Sequence, residues 1–235
     1  MAAGQSKLIG LLGGMSWESS ALYYRLLNNA VHRRLGGYHN ARSMLFTFDF
    51  DDLYSRAASG RWDELAEMLA DAARRLEASG ADFVMLTAVT AHAVADRVEA
   101  ALRIPLLHLA DPTAEAIRAA GFTRVGLLAT RFTMEMGFLA QRLADRYGIE
   151  VMTPPEDQRA ALHRIIVEEL TVGKFEAASR ARLVEMAGEL GHRGAQAIIV
   201  GCTELPLLLD NDGYPLPAFD VTKLHAEAAI DLALS

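Results

Sequence analysis

Short apolar runs alternate along this chain with longer amphipathic stretches, and that alternation leaves few folds open to it. A run such as Ala197-Ile198-Ile199-Val200, β-branched and bounded by glycine, reads as a strand buried on both faces. Strands of that kind, separated by helices, assemble into parallel sheets covered by helices on both sides. The runs at 8–12, 44–48, 83–87 and 105–109 form a first series, and those at 124–128, 150–152, 197–200 and 216–219 form a second. Between them, 62–78 and 134–147 carry apolar residues at the helical period of about 3.6 residues. The stretch 221–234 predicts a closing helix long enough to fold back on the first half.

The two series resemble each other. Leu8-Ile9-Gly10-Leu11-Leu12-Gly13 has a counterpart in Arg124-Val125-Gly126-Leu127-Leu128-Ala129, and Phe83-Val84-Met85-Leu86-Thr87-Ala88-Val89-Thr90 is echoed by Ala197-Ile198-Ile199-Val200-Gly201-Cys202-Thr203-Glu204. The expected architecture is therefore two pseudo-symmetric, Rossmann-like three-layer α/β/α domains whose parallel sheets face a central cleft. The expected boundaries are 1–104 plus 216–235 for the first lobe and 105–215 for the second.

Composition narrows the function classes. A chain of 235 residues that is 51% hydrophobic buries a substantial core. A formal charge of -7 argues against a nucleic-acid partner, which calls for a basic stripe. A single cysteine forms no internal disulfide and points to a reducing, cytoplasmic setting. The segment Met1-Ala2-Ala3-Gly4-Gln5-Ser6-Lys7 is too short and polar for a signal peptide, and no apolar stretch reaches the roughly 20 residues of a membrane helix.

That one cysteine, Cys202, falls at the tip of the predicted strand 197–200, where open α/β sheets place their ligands, so it is expected to face a cleft. The competing reading is an inert thiol packed as a small hydrophobe.

Gly10-Leu11-Leu12-Gly13-Gly14-Met15-Ser16-Trp17-Glu18-Ser19-Ser20 and Gly201-Cys202-Thr203-Glu204 closely resemble the aspartate/glutamate racemase family. Leu35-Gly36-Gly37, Asp49-Phe50, Pro105-Leu106-Leu107-His108-Leu109-Ala110-Asp111, Thr130-Arg131-Phe132-Thr133-Met134 and His225-Ala226-Glu227 extend the likeness over essentially the whole chain. The resemblance implies a cofactor-independent isomerase, often a homodimer, that inverts the α-carbon of a dicarboxylic amino acid such as aspartate or glutamate. In that chemistry one group removes the α-proton and an opposed group returns a proton to the other face.

Removing an α-proton beside a carboxylate builds negative charge, so the site needs a base at the carbon and donors on the carboxylate. Cys202 fits the base if its surroundings make thiolate accessible. Thr203 offers a hydroxyl and a backbone N–H. Glu204 either orients the substrate ammonium or is a first-turn carboxylate favoured by the helix dipole. Met15, Ser16 and Trp17 in the glycine loop, with Thr90, Thr130 and Thr133, are the remaining candidate substrate contacts. Helix capping competes for Ser16 and both later threonines, and core packing competes for Trp17.

The opposite face departs from the family, which carries Cys or Thr, then Asn and Thr, after the third strand. Aligning Thr90 and His92 puts Ala88 at the catalytic position and Val89 at the substrate-binding Asn. Ala88 has no exchangeable proton and Val89 makes no hydrogen bond to a carboxylate. Thr87, one residue away, replaces them only through a local bulge. Three readings stay open: a racemase using Thr87, Thr90 or water as second base, a one-cysteine enzyme like the arylmalonate decarboxylases, and a silent ligand-binding homologue. A binding module of the periplasmic type is a fourth, disfavoured by the missing leader.

The glycine loop does not give G-x-G-x-x-G, so no nicotinamide cofactor is expected; its N–H groups suit a substrate carboxylate instead. His92, His108 and His225 are too dispersed in sequence for an expected metal site.

Overall fold

The structure, a computed structural model, describes residues 6–235. In chain order the elements are β1 (Ile9–Gly13), α1 (Trp17–Leu35), β2 (Ser43–Thr47), α2 (Phe50–Ala58), α3 (Trp62–Ala78), β3 (Phe83–Leu86), α4 (Ala95–Ala100) and α5 (Ala110–Ala119). Then come β4 (Arg124–Ala129), α6 (Arg131–Glu135), α7 (Phe138–Tyr147), β5 (Glu150–Met152), α8 (Glu156–Arg164), α9 (Ala177–His192), β6 (Ala197–Gly201), α10 (Leu205–Leu208), β7 (Ala218–Asp220) and α11 (Val221–Leu234). The chain divides into two compact units. One comprises the described residues through His108 together with His225–Ser235, and the other is Leu109–Leu224.

The first unit carries a parallel sheet of order β2-β1-β3. β1 is buried throughout because alternate side chains enter different cores. Ile9 and Leu11 join Tyr23 and Leu27 of α1 and Ala226, Ala229 and Ile230 of α11, while Leu12 joins Leu65, Leu69 and Leu76 of α3. Arg34 on α1 pairs with Glu227 and Asp231 of α11, so the Arg33-Arg34 pair is engaged with a neighbouring helix. The second unit carries a parallel sheet of order β5-β4-β6-β7.

The expected strand at 105–109 reduces to one bridge, Val84 to Leu106. Pro105 has no N–H to donate to a ladder; it accepts from Val84 N at 2.9 Å, Leu107 N returns to Val84 O at 2.8 Å, and Leu109 already turns into α5. The expected helix at 134–147 is broken at Gly137, which adopts a left-handed conformation (φ 74°) between α6 and α7. The last strand is Ala218–Asp220, and its pairing with β6 places 216–224 in the second unit, correcting the boundary expected at 216.

Gly14 fixes the turn out of β1. Its φ is +85°, and a Cβ there would lie 2.2 Å from Phe48 O and 2.6 Å from Phe48 N, backbone atoms that cannot step aside. Gly14→Ala is expected to cost on the order of 3 kcal/mol, read calorimetrically as a fall of roughly 6–12 °C in Tm. Gly60→Ala, also at positive φ (+71°) but with no atom within 4 Å, is expected to lose only about 1 kcal/mol. Equal losses would contradict the backbone collision at Gly14.

Candidate active site

Register makes the internal likeness concrete. Gly10 of β1 pairs with Val84 of β3, and Gly126 of β4 pairs with Ile198 of β6. Both glycines lie where a Cβ would press on a packed helix or its neighbours: Ala81 and Leu76 in one unit, Leu190 in the other. Counting forward from these pairs, Ala88 occupies in the first unit the position that Cys202 occupies in the second. Val89 likewise matches Thr203, and Thr90 matches Glu204.

In the second unit β6 delivers Gly201 beside Ala129 of β4, and the chain turns through Cys202, Thr203 and Glu204 into α10. A side chain at Gly201 would meet Leu127 Cδ1 at 2.7 Å, so this strand end stays packed and the turn starts at a fixed point. Cys202 Sγ donates to Glu204 Oε2 at 3.0 Å, and Thr203 Oγ1 donates to the same oxygen at 2.6 Å. Cys202 is only 6% exposed, and burial, followed by the Glu204 charge, pushes its thiol well above the usual cysteine range. It is not packed as an inert hydrophobe, since its hydrogen points at a carboxylate. Glu204 is itself buried, and its Oε2 accepts from both Cys202 and Thr203.

Two residues missed by sequence reading stand nearby. Asp220 ends β7, accepts from Thr222 N at 2.9 Å and Lys223 N at 3.1 Å, and so caps α11. Burial pushes its carboxyl upward. Tyr214 is buried within electrostatic reach of both Asp220 and Cys202. It sits in an aperiodic loop where no pattern singles it out; the cue was its position just before the strand that pairs with β6.

At the β4 tip, Thr130 caps α6, accepting from Thr133 N at 3.4 Å, and the two hydroxyls lie 3.2 Å apart. The capping role expected as the alternative is thus present for Thr130, whereas Thr133 lies within α6.

In the first unit, Thr87 is fully buried, and its hydroxyl donates to Leu12 O at 3.1 Å beside Ser20 Oγ at 3.3 Å. β3 shows no bulge before it, as its pairing with β1 runs unbroken to Leu86. Thr87 therefore faces the interior rather than replacing Ala88. Ser16 caps α1, accepting from Ser19 N at 3.3 Å, and Gly14 N donates to Ser20 Oγ at 2.8 Å, so that loop N–H is engaged inside the loop. Met15 packs against the α3-side core, and Trp17 is 66% exposed at the start of α1 rather than packed. Thr90 opens a 3-10 turn, Thr90–Val94, after β3.

The three histidines, distant in sequence, meet in the first unit. The His92 and His108 rings lie 4.6 Å apart and the His92 and His225 rings 5.8 Å apart. His225 Nε2 donates to Leu107 O at 2.8 Å and its Nδ1 accepts from Tyr23 OH at 3.0 Å. His92 Nδ1 donates to Ala88 O at 3.0 Å, and burial together with its two histidine neighbours holds it neutral. Among the described residues no set of three His, Cys, Asp or Glu is arranged to hold a metal ion, and no helix is long and apolar enough to cross a membrane.

The chain thus holds two Rossmann-like parallel α/β units, with Cys202 after β6 in one and Ala88 at the matching position after β3 in the other. The family model for Asp/Glu/hydantoin racemases matches residues 12–229. A candidate Asp/Glu racemase from Yersinia pestis superposes with a TM-score of 0.91 at 44% identity, covering 97% of this chain and 100% of that one. An aspartate racemase homologue from Pyrococcus horikoshii superposes at 0.83 with 30% identity over 97% and 100%. The broad specificity amino-acid racemase RacX of Bacillus subtilis is 25% identical over 173 residues, 74% of each chain. The chain belongs to the Asp/Glu/hydantoin racemase family and is an isomerase of that kind.

Proposed function

We propose that this protein exchanges the α-proton of a small acidic amino acid, aspartate or glutamate, without a cofactor, using Cys202 as the acid/base. The observation that carries it is the Cys202–Glu204 hydrogen bond at a strand tip: a thiol aimed at a carboxylate is arranged to give up its proton. The α-proton then moves to the sulfur, negative charge passes onto the substrate carboxylate, and reprotonation returns the amino acid. Thr130 and Thr133 at the β4 tip and Thr203 at the β6 tip are the residues proposed to meet the substrate. The relatives named for aspartate or amino-acid racemisation support the substrate class.

Ala88, matched to Cys202 by register, supplies no proton, and the Thr87 hydroxyl is committed to Leu12 O. Exchange at the Cys202 face is therefore expected to outrun inversion. The lone thiol equally suits a one-sided decarboxylation, so the test pairs substrates. L-Aspartate, L-glutamate and a disubstituted malonate are each incubated with the protein and the products separated on a chiral column. Slow appearance of the D-amino acids supports the proposal. Carbon dioxide released from the malonate, with both amino acids unchanged, moves the assignment to a decarboxylase, and binding without turnover moves it to a binder.

Glu204 raises the thiol through its negative charge. Glu204→Gln removes that charge, so the thiolate is expected to form at lower pH and the acid limb of the exchange profile to move down. Following the thiolate absorbance of the only cysteine against pH checks this. A limb that stays in place or moves to higher pH would contradict the charge effect of Glu204 on the thiol.

A further inference from the structure

Tyr214 follows the 3-10 turn Asn211–Gly213 and leads toward β7, within the same unit as Cys202. Its side chain is 7% exposed, yet among the described residues its hydroxyl meets no hydrogen-bonding partner. A buried hydroxyl without a bond is disfavoured against its hydrated state, and natural proteins keep such groups chiefly where they have a task. Burial, with the Asp220 carboxylate and the Cys202 sulfur, holds the phenol far above its ordinary range, so it stays protonated and acts as a donor. The turn before Tyr214 packs on β7, and β7 pairs with β6 so that Asp220 lies beside Val200, two residues before Cys202.

The sulfur has the backbone N–H groups of Thr203 and Glu204 as donors; what Tyr214 offers it is a side-chain donor. While protonated, Cys202 spends its hydrogen on Glu204 Oε2, and the neighbouring Thr203 hydroxyl is directed at that same oxygen. Once the thiol proton passes to the carboxylate it already points at, an anionic sulfur is left whose adjacent hydroxyl serves Glu204. We propose that the Tyr214 hydroxyl is the side-chain donor that turns to Cys202 and stabilises its thiolate, which makes it a positioning residue for the reaction. Tyr214 keeps its own proton throughout. The inference rests on Cys202 working as a thiolate, and it extends the site to a loop residue outside every motif of the family resemblance.

Burial, the Glu204 carboxylate and the backbone N–H groups of Thr203 and Glu204 set the sulfur's titration, and burial, Asp220 and Cys202 act on Tyr214. The test titrates the thiolate absorbance of wild type and Tyr214→Phe, with Cys202→Ser as the blank, and records Tm for each. Tyr214→Phe is expected to hold about tenfold less thiolate at a pH below the midpoint. Its Tm is expected to be unchanged or higher, because an unbonded buried hydroxyl has been removed. Coincident titration curves would overturn the proposal, and so would a marked fall in Tm, which would show the hydroxyl holding the fold. A wild type that exchanges no α-proton, yet differs from Tyr214→Phe in its titration, refutes the assigned reaction and upholds the role of Tyr214.

Discussion

Cys202→Ser is expected to lower α-proton exchange by about 10²–10⁴-fold, the range spanned by the loss of a positioned acid/base. Serine keeps the shape and a donor for Glu204, so the fold should survive: the residue sits at the end of a packed strand, and its bond to Oε2 is one an O–H also makes. What disappears is acidity. A serine hydroxyl ionises far less readily than a thiol, and a buried position beside a carboxylate disfavours its anion further. Exchange is measured for both proteins at equal folded concentration, confirmed by matching circular dichroism. Activity within a few-fold of wild type would remove the sulfur from the chemistry.

The second large effect is a gain. Ala88→Thr with Val89→Asn puts an exchangeable proton and an amide at the positions that register matches to Cys202 and Thr203. Inversion of aspartate or glutamate is expected to rise by roughly 10² or more, since a second positioned proton donor becomes available. Both sites are nearly buried, at 7% and 5% exposure, so each new polar group needs a partner. His92 already holds Ala88 O in place, which keeps the turn's backbone fixed while the side chains change. The rates of exchange and inversion are compared in the double variant. Exchange unchanged and inversion raised is the expected pattern; no rise in inversion would mean the first unit has lost more than these two side chains.

Much of the fold was legible because its signals are local. Runs such as 197–200 are buried on both faces of a parallel sheet, so they are continuously apolar, and the helices Trp62–Ala78 and Val221–Leu234 begin and end where the period does. The failures also have local causes that pattern does not weigh. Gly137 breaks an otherwise continuous helical period by adopting positive φ, and Pro105 withholds a ladder donor from the run that follows. Cys202 was legible as a strand-tip residue, and Ala88 as its counterpart. The state of the thiol was not, because it depends on how deeply the strand tip is buried and on where the Glu204 side chain turns. The histidine cluster escaped for the same reason: residues 92, 108 and 225 meet only through the pairing of Leu106 with β3 and the return of α11 to the first unit.

The most direct measurement is proton NMR of L-aspartate and L-glutamate in deuterium oxide with wild-type protein. Loss of the α-proton signal, faster than the D-enantiomer accumulates and absent in Cys202→Ser, is the expected result. An α-proton that persists for both amino acids, or that exchanges equally well without the sulfur, would contradict an acid/base role for Cys202.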